Sequence, residues 1–100
     1  MTIQVNAPFS VNDKLQALIN DRVTKLATFY ERITSADVFL KAEENRSNGA
    51  PQGSTVEIRL DVPGQLLHAS ASAESYEKAL ADAAEKMRRQ LLKYKDQVTA

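Results

Sequence analysis

The sequence predicts an α+β fold in the order β-α-β-β-β-α, a four-stranded sheet with two helices packed on one face. Three observations carry this. Four short stretches alternate apolar and polar residues with period two, as half-buried strands do. Two longer stretches repeat apolar residues at helical spacing. Finally, 100 residues that are 43% hydrophobic and 26% charged suffice for one modest core, so residues 1–100 are expected to form a single domain.

The elements follow in order. "TIQVN" places Ile3 and Val5 on one side of a short first strand. Ser10 and Asp13 have the spacing of a capping box, and Leu15, Leu18, Ile19, Val23, Leu26 and Tyr30 then form an apolar stripe. The first helix is therefore expected over residues 11 to about 31. "DVFLKAE" alternates again, and "NRSNGAPQGS" reads as a polar loop. "TVEIRLDV" sets Val56, Ile58, Leu60 and Val62 against Glu57, Arg59 and Asp61. Pro63-Gly64 marks a turn. "LLHASASA" presents Leu67, Ala69 and Ala71, small enough to admit a helix close to the sheet. The last helix is expected from near Ser72 to about Val98, with Tyr76, Leu80, Ala83, Ala84, Met87, Leu91 and Val98 as its stripe.

The composition excludes several classes of function. There is no Cys, so disulfides and thiolate metal sites are ruled out, and a single His, His68, cannot build a multi-histidine site. His68 falls on the polar face of its strand and is not expected to be catalytic. Gly-rich phosphate loops and nucleophile elbows are missing from a chain with three Gly. No enzyme activity, cofactor, metal or small-molecule substrate is expected. Neither an apolar span nor a leader is visible, which points to the cytoplasm and away from membranes.

Charge is balanced in total and uneven in placement. Thirteen basic residues offset thirteen acidic ones. Yet residues 74–85 hold Glu74, Glu77, Asp82 and Glu85 against Lys78 alone, and residues 86–95 hold Lys86, Arg88, Arg89, Lys93 and Lys95 without an acid. With Met87 and Leu91 facing the sheet, Lys86, Arg89 and Lys93 fall within about 60° of one another on one shoulder of the helix. Arg88 and Lys95 fall on the other. Arg22 and Lys25, with Lys14 earlier, flank the stripe of the first helix, and these flanks can meet as a basic groove if the helices lie side by side. Which flanks would meet is left open by the sequence. Concentrated Lys and Arg suit a phosphate backbone, with an affinity that falls steeply with salt. The plainer reading is that bases late in a helix and acids early in it answer the helix dipole.

Three stretches resemble a known family. "LHASASAESYEKALADAAEKMRRQLLKYKD", with its Lys86–Asp96 run, is similar to the closing strand and helix of the bacterial ribosome hibernation-promoting factors, which include the ribosome-associated inhibitor. "DRVTKLATFYERI" and "ADVFLKAE" resemble the family's first helix and second strand. The resemblance implies the same element order, like a double-stranded-RNA-binding domain with an added strand. It implies binding to the small ribosomal subunit between head and body, overlapping messenger and transfer RNA, with translation blocked. By matched position it implies contacts with ribosomal RNA from Arg22, Lys25, Lys86, Arg89, Lys93 and Lys95, and from Arg88. The loop from Glu44 to Ser54 is longer than in the shortest relatives. The chain shows neither a long inhibitory tail nor a C-terminal dimerisation domain, so it resembles the short form, a monomer off the ribosome. Two competing readings are a protein-interaction module that modulates a sigma factor through Phe39, Glu57 and Arg59, and a general structured-RNA binder.

Overall fold

The computed structural model of the chain describes residues 1–43 and 53–99. Its elements are β1 (Thr2–Asn6), α1 (Asp13–Leu26), β2 (Ser35–Glu43), β3 (Gly53–Val62), β4 (Gln65–Ala73) and α2 (Tyr76–Thr99). The sheet order is β1-β2-β3-β4. α1 carries the chain back along the sheet, so β1 runs parallel to β2, whereas the other pairs are antiparallel. Apart from Gly53 and Ser54, which open β3, the loop expected at 44–54 lies outside the described residues.

The pairing register explains where the core sits. One row across the covered face reads Val5–Val38–Ile58–Ala69, and its neighbours read Ile3–Ala36–Leu60–Leu67 and Leu40–Val56–Ala71. Two of the three rows end in alanine at β4, and α2 fills the room those alanines leave, through Leu80, Ala83, Met87 and Leu91, all fully buried. The α1 stripe of Leu15, Ile19, Val23 and Leu26 joins the same core. Both helices therefore cover one face of the sheet, as the alternation in the strands requires.

Several boundaries differ from the sequence expectation. The cap of α1 is Asn12 rather than Ser10: its Oδ1 accepts from the backbone N–H of Leu15 at 2.8 Å. α1 stops at Leu26, five residues early, because Ala27, Thr28 and Phe29 donate to carbonyls three residues back and tighten the chain into turns. Tyr30 is buried all the same, held edge-on to Tyr94 with ring centroids 5.3 Å apart. Ser72 and Ala73 remain in β4, and Ser75 starts α2 by accepting from the N–H of Lys78. Val98 is 51% exposed and does not belong to the apolar stripe, which ends at Tyr94. The Tyr94 hydroxyl donates to the Pro63 carbonyl at 2.6 Å, tying α2 to the β3–β4 turn. That turn has Pro at its first central position and Gly64 at φ +80° in the second, the pattern of a type II turn.

Candidate nucleic-acid interface

The basic residues predicted to act together lie on two sides of α2. On one side α1 and α2 enclose a groove of about 290 Å³, with Ala81 and Ala84 on the α2 wall and Leu26 and Phe29 on the α1 side. Arg22 and Lys25 from α1 and Arg88 from α2 line it. The Arg88 guanidinium lies over the Phe29 ring, 6.0 Å from its centroid. Lys95, on the same side of α2 but farther along, borders a second depression with Phe29, Glu31 and Arg32.

Lys86 and Lys93 occupy the far side of α2, above the outer edge of β4, so they do not meet the α1 cations. Lys86 Nζ donates to the Ser70 carbonyl at 3.0 Å, and Gln90 Nε2 donates to the His68 carbonyl at 2.5 Å. These two bonds satisfy outward-pointing carbonyls of an edge strand, which would otherwise invite pairing with another chain. Lys86 thus has a structural task as well as a charge. Lys93 lines a shallow depression with Gln65, Gln90 and Gln97. Arg89 stands highest on the helix, its side chain 73% exposed, and borders a depression that also holds Lys86, Asp82 and Ser72.

Between the two sides sits Glu85. Its carboxylate takes Arg88 as a fork, with Nε to Oε1 at 3.1 Å and Nη2 to Oε2 at 2.5 Å, and it also lies 3.4 Å from Arg89 Nε. Arg88, followed by Arg89, holds the Glu85 carboxyl below the usual carboxylate range, and Glu85 raises Arg88 in turn. On α1, Lys25 pairs with Asp21 at 3.3 Å, both well exposed. Among the described residues neither Arg22 nor Lys93 has an ion-pair partner. The sequence reading missed Phe29 and Glu85 as parts of the site. Glu85 was legible, because acids three and four residues before two arginines pair on a helix surface.

The uncovered face of the sheet carries a different cluster. Glu57 on β3 is only 9% exposed, and it binds His68 Nε2, with Lys41 at 3.3 Å and Arg59 at 3.7 Å. The hydrogen bond with His68, aided by Lys41, outweighs burial and lowers the Glu57 carboxyl below its usual range. Arg59 caps the Phe39 ring at 4.8 Å. Glu57, Arg59 and Phe39, the residues a protein partner would use, are thus engaged with neighbours in this sheet. Among the described residues no group of three or more His, Cys, Asp or Glu is placed to hold a metal ion. No described helix is long and apolar enough to cross a membrane.

A family model described as sigma 54 modulation protein / S30EA ribosomal protein matches residues 3–99. The chain belongs to this family. No curated protein sequence matches it significantly. Among solved structures, it is similar to a ribosomal subunit interface protein from Coxiella burnetii, with TM-score 0.80 at 20% identity, over 96% of this chain and 99% of that one. It is also similar to the N-terminal domain of Protein Y from Thermus thermophilus, with TM-score 0.72 at 16% identity, over 93% and 94% of the two chains. At these identities the likeness concerns the fold, and the β-α-β-β-β-α order is common ground with the sequence expectation.

Proposed function

We propose that this protein binds the small ribosomal subunit through ribosomal RNA near the decoding region, where it excludes messenger and transfer RNA and holds the ribosome idle. The observation that carries the proposal is the helix layer. Arg22, Lys25 and Arg88 converge on one groove, Arg89, Lys86 and Lys93 continue the positive surface over the top of α2, and Lys95 extends it toward the helix end. Membership in a family described in part as S30EA ribosomal protein supports this reading, as does the fold shared with a ribosomal subunit interface protein.

Mechanistically, the protein acts by occupancy. A pre-formed groove needs no folding on binding, so its affinity is spent on phosphate contacts and not on ordering. Arg supplies a planar fork to phosphate oxygens, while Lys supplies point charge along the flank. Glu74, just before α2, and Glu77, in its first turn, keep that end from joining the positive surface. The alternative contact through the sheet face is disfavoured because Phe39 is already covered by Arg59, and Glu57 is already engaged by Lys41, Arg59 and His68.

The test is competition on purified small subunits between this protein and a labelled messenger fragment with initiator transfer RNA. Displacement of the label in proportion to bound protein is expected. Simultaneous saturation by protein and messenger would rule out occlusion.

A further inference from the structure

We infer that Glu85 is a built-in competitor of RNA phosphate, which keeps Arg88 and Arg89 occupied in the free protein and so restrains binding to RNA in general. The inference rests on the RNA-binding reading above and adds a specificity-determining residue to it.

Glu85 borders both the groove shared with α1 and the depression beside β4. It pairs with the two arginines one helical turn later, through a two-point fork to Arg88 and a longer contact to Arg89. A carboxylate presents two oxygens to guanidinium much as a phosphate does, so the geometry that holds Arg88 now is the geometry a phosphate would take over. Both side chains of the Arg88–Glu85 pair remain partly exposed, at 37% and 45%, so the exchange requires no unfolding. A phosphate arriving at Arg88 meets the Glu85 charge at close range, and that repulsion subtracts from its affinity. Only an RNA that engages Arg22, Lys25 and the α2 cations together gathers enough contacts to offset this. A single stray duplex does not. Glu85 therefore lowers affinity for RNA in general, so that an RNA making few contacts falls below appreciable occupancy while one that also engages Arg22, Lys25 and the other α2 cations stays bound.

The experiment measures binding of a fluorescent 20-base-pair RNA duplex of arbitrary sequence, and of purified small subunits in parallel, across a salt series. Glu85→Gln should tighten duplex binding about three- to ten-fold. One additional phosphate contact should steepen the slope of log affinity against log salt by about 0.9, a further loss of about 3.5-fold between 50 and 200 mM salt. The gain in fraction bound on small subunits, which the other cations already hold, should be smaller. With Arg88 and Arg89 both replaced by Gln, adding Glu85→Gln should bring little or none of the gain seen in wild type, as coupled residues require. Equal, salt-sensitive binding by wild type and Glu85→Gln would overturn the role of Glu85 and leave the RNA reading intact. Weaker binding by the variant would also overturn it, since Glu85 would then position the arginines for RNA. If neither protein bound duplex or subunits at any salt, the RNA reading itself would fall, and this inference with it.

Discussion

Replacing Asn12 by Ala removes the side-chain oxygen that accepts from the Leu15 N–H at 2.8 Å, the bond that starts α1. Loss of such a cap costs about 1 kcal/mol, within a range of roughly 0.5–2. In a 100-residue domain, each kcal/mol lowers the melting temperature by about 4–8 °C. Asn12→Ala should therefore melt several degrees below wild type, measured by far-ultraviolet circular dichroism at fixed pH and salt. Asn12→Gly should lose only a few tenths of a kcal/mol, since Gly tolerates the cap conformation. Ser10→Ala should melt with wild type, because Ser10 lies two residues outside the cap. Equal losses from Ser10→Ala and Asn12→Ala, or none from either, would refute the assignment of the helix start. Because α1 carries Arg22 and Lys25, the same substitution tests whether a frayed first turn leaves the groove intact three turns later. Unchanged RNA affinity is expected.

Ala69→Leu places a larger side chain under α2, where alanine lets the helix reach the sheet, and should cost about 1–3 kcal/mol through overpacking, read from urea unfolding. Leu91→Ala, at a fully buried position, should cost about 2–5 kcal/mol by leaving a cavity. The Glu57 carboxyl is lowered in the folded protein, chiefly by His68, so its ionised form contributes stability above the ordinary carboxylate range and loses it as pH falls through that range. Glu57→Gln should consequently flatten the decline of melting temperature with acid, and an unchanged decline would show that other carboxylates drive it.

The fold was legible because period-two alternation in four strands left one arrangement that buries every apolar face. Val56, Ile58, Leu60 and Val62 declared their side without ambiguity, and the alanines of β4 announced a close helix. Boundaries were harder to read. Tyr30 continues the helical spacing of α1 although it is buried from outside the helix, so periodicity overran the true end. Val98 continues the spacing of α2, yet no sheet lies beneath it there. At the site, helical geometry placed Lys86 and Lys93 on one shoulder of α2 and Arg88 and Lys95 on the other, whereas Arg89, expected beside Lys86, stands at the crest. It did not tell which shoulder faces α1, since that depends on the order β1-β2-β3-β4 and on which strands each helix covers. The outcome separates Lys86 and Lys93 from Arg22 and Lys25, with Arg88 on the groove side and Arg89 at the crest. It also shows Lys86 bound to the β4 edge, a role no charge pattern reveals.

The most direct test of the central claim is co-sedimentation with purified small subunits across a salt series. Three proteins would be compared: wild type, a groove variant with Arg22→Glu and Lys25→Glu, and a flank variant with Arg89→Glu and Lys93→Glu. Wild type should bind with an affinity that falls steeply as salt rises. Both variants should bind more weakly and with a shallower salt slope, since each removes two phosphate contacts. Binding by all three with the same affinity and the same slope would contradict the account and assign those cations to the solvated surface of a helix layer.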